Sequence, residues 1–237
     1  MQLEEKKQPL PTSAGVAFAK LRCDILRGVL APSERLRVND IAERYGCGAI
    51  PTREALNRLA AERLVVYSEQ RGFAVAPISR DDLVDLTRAR SMLAEVAIRE
   101  AVLKGDAAWE ERVLVSYHRL SKVPRYLSLE PRTPNPAYDG PHREFHAALV
   151  SGCGSEWVVR LFEQLFEHAE RYRNLSRKIS VTPRETEHKL ILDAVLGRRV
   201  DEAVALSKRH VELTAEIILE QPPAIHDEKE SVQKIVS

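Results

Sequence analysis

The chain has 237 residues, of which 44% are hydrophobic and 30% are charged, and its formal net charge is +1. This balance is typical of a soluble globular protein and excludes a disordered chain. Three widely spaced cysteines argue against a disulfide framework, and no apolar run approaches the roughly 20 residues of a membrane span. The N-terminal segment also lacks the apolar core of a signal peptide, so the sequence predicts a cytoplasmic protein.

Charge and proline content divide the chain into two units and a tail. Residues 1–77 contain 12 Lys and Arg against 9 Asp and Glu, a net charge of +3, whereas residues 78–237 have a net charge of −2. A mildly basic first unit is compatible with nucleic-acid binding. With Pro77 and the Pro222-Pro223 pair as boundaries, we predict compact units over 1–77 and 78–222 and a flexible polar tail over 223–237.

The first unit has the pattern of three helices followed by a hairpin. Apolar spacing and punctuation predict helices over Ser13–Arg27, about Asn39 to Tyr45 and about Ile50 to Arg63. Ser13 is the predicted N-cap of the first helix, and Pro51 is predicted at the first position of the third. Two β-prone runs around a turn that ends at Gly72 predict a hairpin. This arrangement is a winged helix-turn-helix.

The polar face of the third helix supplies candidate DNA contacts. Its apolar stripe leaves Arg53, Asn57 and Arg58 facing outward, and Arg53 is the candidate for a bidentate contact with guanine. The candidates for phosphate contact are Arg35, Arg58 and Arg71, while Gly72 lets the hairpin backbone approach the duplex. Thr52 completes the predicted DNA-binding set. From the pattern alone, a subdomain that only contacts other proteins remains the alternative.

Several segments of this unit resemble the GntR superfamily of bacterial transcription regulators. The matching segments are Leu21–Gly28, Leu30–Pro32, Pro51–Leu56, Leu59–Val65 and Arg71–Val75. The resemblance implies a winged helix that binds a DNA operator. Two departures stand out: Gly48-Ala49 replaces a Ser-Arg pair that many members carry before the third helix, and Arg63 occupies a position usually held by glycine.

The second unit is helical throughout its sequence pattern. We predict helices over about 81–104, 106–121, 137–151, 155–178, 183–197 and 200–221, packed as an antiparallel all-α bundle. No β-rich run is recognisable, and the proline-rich segment Pro131–Pro136 is predicted as a surface loop. The interior of such a bundle is a usual place for a ligand or metal site.

Two histidines of this unit have the spacing of metal ligands. On a helix, His142 and His146 project from one face, one turn apart. His188 and His210 lie in helix-like segments downstream. Glu144 lies about 200° round the helix from each member of the first pair, so it cannot act as the general base of a metal hydrolase. A metal-dependent hydrolase or oxygenase with an accessory N-terminal domain is nevertheless kept as the alternative to a sensor.

The second unit resembles the FCD effector domain of the FadR-type branch of the GntR superfamily. The segments that carry the resemblance are His142–Leu149, Gly152–Ser155, Glu187-His188 and Arg209-His210. It implies a metal held by His146, His188 and His210, with His142 at a position where Asp is usual. An imidazole in place of a carboxylate favours Zn²⁺, with Ni²⁺ as the alternative, over a hard ion such as Mn²⁺.

The same resemblance implies an effector pocket lined by arginines. Arg90, Arg171 and Arg173 are the implied effector-binding residues, although Ala94 departs from a Glu that many members carry. The run Glu170–Ser176 is similar to a subgroup that includes glutarate-responsive repressors. The expected protein is a homodimeric repressor, not an enzyme, which a small organic acid, such as the dicarboxylate glutarate, releases from a pseudo-palindromic operator.

Overall fold

The computed structural model describes residues 12–176 and 185–220. These residues form two compact units that meet in sequence between Pro77 and Ile78. The predicted fold class is confirmed, because a winged helix-turn-helix is followed by a mainly helical domain. Within the described ranges, no helix is both long enough and apolar enough to cross a membrane. The predicted tail over 223–237 lies outside the described residues.

Over residues 12–77, the first unit consists of three helices and a three-stranded antiparallel sheet. The helices are α1 (Ser13–Leu26), α2 (Val38–Tyr45) and α3 (Ala49–Ala61). The strands are β1 (Arg35–Leu36), β2 (Val65–Ser68) and β3 (Gly72–Val75), in the order β1-β3-β2. The sequence analysis missed β1 because two residues are too short to show a period. Buried leucines of α1 and α3 pack with Phe73 to form the core.

Two predicted helix starts need correction. Thr12, and not Ser13, caps α1, since Thr12 Oγ1 accepts a hydrogen bond from the Gly15 N–H at 3.1 Å. Helix α3 begins at Ala49, so Pro51 is its third residue and not its first. The third position tolerates proline for the same reason as the first, because the N–H groups of the first turn have no partner within the helix.

Gly46 and Arg63 are two of the residues with positive φ in the loops of this unit. Gly46 ends α2 with a φ of 66°, a left-handed conformation that glycine adopts without steric cost. Arg63, which follows α3, has a φ of 58°. This left-handed conformation explains why glycine is usual at that position in sequences of the family that this unit resembles.

Over residues 78–176 and 185–220, the second unit contains six α-helices. They are α4 (Arg80–Lys104), α5 (Ala107–Ser121), α6 (Asp139–Val150), α7 (Glu156–Ser176), α8 (Glu185–Leu196) and α9 (Val200–Leu219). The described ends agree with the predicted helices to within about two residues, while the predicted ends at 178, 183 and 221 lie outside the described ranges. Helix α4 packs along α9 and α7, α5 packs on α6, and α8 packs on α9.

The segment between α5 and α6 differs from the prediction. It forms a two-stranded antiparallel hairpin of β4 (Tyr126–Leu129) and β5 (Arg132–Pro134), followed by a short 3-10 helix over Pro136–Tyr138. The prediction of a loop without β structure was therefore wrong. Prolines are compatible with this hairpin because Pro131 lies in its turn and Pro134 lies at the end of a strand.

A buried tryptophan fixes α6 against α5. The Trp109 side chain is fully buried, and its Nε1 donates a hydrogen bond to the Ala148 carbonyl at 2.9 Å. Gly152 packs directly on the ring, since a Cβ atom there would lie 2.9 Å from Trp109 Cδ1. These contacts hold the C-terminal half of α6 in place and direct its opposite, histidine-bearing face into the domain.

Candidate functional site

Four buried histidines converge from three helices of the second unit. Helix α6 contributes His142 and His146, α8 contributes His188, and α9 contributes His210. One ring nitrogen from each lies within 4.8 Å of the others. His146 Nε2 is 3.2 Å from His142 Nε2 and 3.3 Å from His188 Nε2. Two nitrogens bound to one tetrahedral Zn²⁺ lie about 3.3 Å apart, so these spacings fit a shared ion.

Three of the four histidines, His142, His146 and His188, are held in the neutral form that metal coordination requires. Burial lowers the pKa of His142, His146 and His188 well below the usual value. Repulsion from Arg173 lowers the pKa of His142 further, and repulsion from His210 does the same for His146 and His188. A neutral imidazole keeps a lone pair on one ring nitrogen, so no proton has to be displaced from a charged ring when an ion binds.

Hydrogen bonds at the second ring nitrogen distinguish His210 from His142. Glu187 Oε2 lies 2.6 Å from His210 Nδ1 and accepts a hydrogen bond from its N–H, which leaves His210 Nε2 available to an ion. Arg173 Nη1 lies 2.9 Å from His142 Nδ1 and can only donate, so the His142 proton lies on Nε2. His146, His188 and His210 therefore fit a metal as they stand. His142 becomes a ligand only if Arg173 moves and the ring proton transfers to Nδ1.

A cavity opens beside the histidines and is strongly cationic. Among the described residues, three guanidinium groups and no carboxylate line it. The lining consists of Arg90, Arg125, Tyr138, His142, Phe166, Ala169, Arg173, His188, His210 and Thr214. The space open to the centre of a water molecule is about 20 Å³. This volume suits an ion or about one water, and a larger ligand requires the arginines to move outward.

Two of these arginines share one aromatic side chain. The guanidinium groups of Arg90 and Arg173 lie 5.7 Å and 5.4 Å from the centroid of the Phe166 ring. Burial lowers the pKa of Arg90 to about 10, which leaves the group charged at neutral pH. Arg173 forms an ion pair with Glu170 on the same face of α7. Both guanidinium groups line the cavity, together with His142, His188 and His210.

The structure places Arg173, and not Arg171, at the cavity. Residues two apart on a helix project about 200° from each other, so only one of the pair can face the histidines. Arg171 is buried beside Asp82 and Tyr172, and it does not line the cavity. The expectation that Arg171 binds the effector does not fit this position. Conversely, sequence reasoning missed Arg125, because the segment before β4 shows no helical periodicity that would orient it.

Most of the predicted DNA-contact residues lie on the surface of the first unit. The side chains of Arg35 on β1 and of Arg53, Asn57 and Arg58 on α3 are exposed, and the guanidinium of Arg58 lies 4.1 Å from the centroid of the Phe18 ring. Arg71 and Gly72 lie at the β2–β3 turn, where Gly72 has a φ of 75°.

Thr52 differs from the other predicted DNA contacts. Its side chain is fully buried, and its hydroxyl donates to the Gly48 carbonyl at 2.9 Å. The predicted role as a DNA contact does not fit this burial. Thr52 instead fastens the first turn of α3 to the glycine that precedes the helix.

Comparisons with known proteins agree with both halves of this description. Residues 14–75 match the family described as bacterial regulatory proteins, gntR family, and residues 85–213 match the FCD domain. The HTH-type transcriptional regulator BphR of Paraburkholderia xenovorans (strain LB400) is 38% identical over 85% of this chain and 83% of its own length. The HTH-type transcriptional repressor GlaR of Escherichia coli (strain K12) is 36% identical, and the match covers 86% of this chain and 94% of GlaR.

A solved structure has the same fold. E. coli McbR/YncC superposes with a TM-score of 0.71 at 18% identity, and the match covers 90% of this chain and 99% of that one. The family matches and the two relatives exclude the alternative of a hydrolase or oxygenase. The chain belongs to the GntR family of bacterial regulatory proteins and is a DNA-binding transcriptional regulator that carries an FCD domain.

Proposed function

We propose that this regulator is a repressor released from its operator by a small organic acid that binds beside a metal ion in the helical unit. The convergence of four buried histidines next to a cavity lined by three arginines carries this proposal. A cationic interior cavity whose described lining contains no carboxylate suits an anionic ligand. Repression is supported by GlaR, whose name describes it as a transcriptional repressor.

The donor set favours Zn²⁺, with Ni²⁺ as the alternative. Its potential ligands are imidazole nitrogens, which suit borderline ions better than hard ions such as Mn²⁺. His146, His188 and His210 would hold the ion, and His142 is the fourth candidate. When bound, the ion supplies a Lewis-acid position that a carboxylate oxygen can occupy. Arg90 and Arg173 line the same cavity and would donate hydrogen bonds to this carboxylate.

Helix α7 connects this cavity with the start of α4. Tyr172 lies between Arg171 and Arg173, and its hydroxyl donates a hydrogen bond to the Asp82 carboxylate on α4. The Ser79 N–H, at the N-cap of α4, lies 3.4 Å from the same hydroxyl. Ser79 follows the boundary at Pro77 by two residues. We propose that a ligand that moves Arg173 shifts α7, and that the hydrogen bonds of Tyr172 pass this shift to the start of α4, through which the chain enters the helical unit.

Operator recognition is assigned to the first unit of two copies of the chain. In a homodimer, each copy presents α3 to a major groove, and a twofold axis requires a pseudo-palindromic operator. Arg53 is the proposed base-reading residue, and Arg35, Arg58, Arg71 and Gly72 face the phosphates. Such a regulator works on chromosomal DNA in the cytoplasm. The acid shifts DNA binding only as far as its affinity differs between the bound and released arrangements.

The proposal is tested by selection of genomic DNA fragments with purified, zinc-loaded protein, with and without succinate, glutarate or adipate. We expect a small set of fragments with twofold symmetric sites, and we expect one of the acids to reduce their recovery. Chelator-treated protein serves as the matched control, in which the acid has no effect. Failure to enrich any fragment would remove operator binding, and acid-independent recovery would remove the proposed effector class.

A further inference from the structure

We infer that Ile50 is a second base-reading residue of the winged helix, and that its side chain contacts the C5-methyl group of a thymine in the major groove. This inference goes beyond the proposed function, which assigns base reading to Arg53. It rests on DNA binding by the first unit, which the family match shows, and it does not depend on the metal ion or on the acid. The preferred operator is therefore one that carries a thymine at a fixed position.

Ile50 is an apolar side chain that the fold leaves in water. It is the second residue of α3, and its exposed fraction of 84% is the largest among the large apolar side chains of the described residues. The core face of the same helix is formed by Ala55, Leu56 and Leu59, which are fully buried. Ile50 lies outside the core that these residues form with α1 and the sheet. The packing of the first unit therefore does not account for an isoleucine at this position.

The first turn of α3 carries Ile50 as its principal exposed side chain. Gly48, which precedes the helix, has no side chain, and the side chain of Ala49 ends at Cβ. Arg53 follows Ile50 by three residues and is also exposed, so the two side chains share one face of the helix. The N-terminal residues of a recognition helix are those that contact base edges. The branched Cβ restricts isoleucine mainly to one rotamer in a helix, so little rotational freedom is lost on contact with DNA.

The chemistry of an aliphatic side chain limits what it can bind on DNA. It has no charge for a phosphate and forms no hydrogen bond with the donors and acceptors of base edges. Among the four bases, only thymine offers an apolar group in the major groove, its C5-methyl. Opposite any other base, Ile50 would separate a polar edge from water without replacing its hydrogen bonds, which is unfavourable. Ile50 therefore selects thymine, whereas the neighbouring Arg53 is suited to guanine.

The test removes single methyl groups from the DNA. Full-length wild-type protein, without added acid, selects duplexes from a random-sequence pool, and each thymine of the enriched duplex is then replaced in turn by deoxyuridine, which lacks only the C5-methyl. At one position at least, we expect the replacement to weaken wild-type binding by about fourfold in fluorescence anisotropy, which corresponds to the burial of one methyl group. Ile50→Ala should bind the thymine duplex more weakly than the wild type and bind the thymine and deoxyuridine duplexes equally. Ile50→Val should retain part of the difference.

Val29→Ala is the matched control, because Val29 is an exposed apolar residue of the same unit that lies outside α3. It should retain the full effect of deoxyuridine. The role of Ile50 would be overturned if the wild type binds all the deoxyuridine duplexes as it binds the thymine duplex, or if Ile50→Ala loses affinity for every duplex by the same factor and keeps the deoxyuridine effect. Neither result affects the proposed acid-binding site. If the pool yields no enriched sequence, base reading by α3 fails as a whole, and the operator assignment of the proposed function fails with it.

Discussion

The two units of the chain use arginine in opposite ways. In the winged helix, Arg53 and Arg58 are exposed on α3, and the core beneath them is mainly aliphatic. In the helical unit, Arg90 and Arg173 point inward, beside buried histidines and over Phe166. An exposed guanidinium costs little and suits a large polyanion such as DNA. A buried one must be compensated, so it indicates a specific small anion.

The largest effect is expected from loss of a histidine of the interior cluster. His188→Ala should lower zinc affinity by more than about 100-fold, since even changes behind the ligands cost about 10- to 100-fold. Zinc content after dialysis and a chelator competition titration measure it. His118→Ala, a change at an exposed histidine of α5, is the control. If His188→Ala binds zinc as tightly as the wild type, His188 is a packing residue and not a ligand. The helical unit would then lack the interior ligand site that distinguishes it from the winged helix.

The proposed DNA-contact surface of α3 is tested by Arg53→Ala. If Arg53 reads a base, specific operator binding should weaken by about 1–3 kcal/mol, while binding to unrelated DNA changes little. Fluorescence anisotropy with operator and scrambled duplexes measures both affinities. Arg112→Ala, which removes an exposed arginine of α5, should leave both unchanged. An equal loss on both duplexes would reassign Arg53 to the phosphate backbone.

A smaller effect on zinc affinity is expected from a change at Glu187, which contacts His210. Glu187→Gln keeps an acceptor near His210 Nδ1 but removes the carboxylate charge, so zinc affinity should fall by about tenfold. The same chelator competition measures it, with Glu202→Gln on the exposed start of α9 as control. If Glu187→Gln binds zinc with the same affinity as the wild type, the Glu187 carboxylate does not affect zinc binding by His210.

The smallest effect is expected from Thr52→Val, which tests whether Thr52 stabilises the winged helix or contacts DNA. Thr52→Val removes the buried hydroxyl that donates to the Gly48 carbonyl, which should lower the free energy of unfolding by about 1 kcal/mol. Operator affinity of the folded protein should change by less than about twofold. Urea denaturation and operator titration measure the two quantities. A loss of operator affinity without a loss of stability would restore Thr52 as a DNA contact.

Sequence reasoning succeeded where one periodic pattern carries the information. The apolar stripes of the long helices predict their positions to within about two residues, and the spacing of His142 and His146 predicts a shared helix face. It failed where structure depends on pairing between distant residues. Strand β1 pairs with β3, and Arg35 opposite Ala74 gives no local signal.

The candidate site shows the same limit. Arg125 lines the cavity from the base of the β4–β5 hairpin, where Asn135 donates a hydrogen bond to the Pro124 carbonyl. The prolines of this segment led the sequence analysis to predict a loop instead of a hairpin. The choice between Arg171 and Arg173 depends on the rotation of α7, which the local sequence does not fix. Thr52 shares the α3 segment with exposed residues, and its burial depends on how the helix packs against its neighbours.

The central claim is that an acid bound at the histidine cluster controls DNA binding by the other unit. The direct measurement is an operator titration of zinc-loaded protein at increasing glutarate, with wild type, chelator-treated wild type and His188→Ala in parallel. We predict that glutarate weakens operator binding of the zinc-loaded wild type and leaves both controls unaffected. An equal response to glutarate in all three samples, or no response in any of them, would contradict the claim.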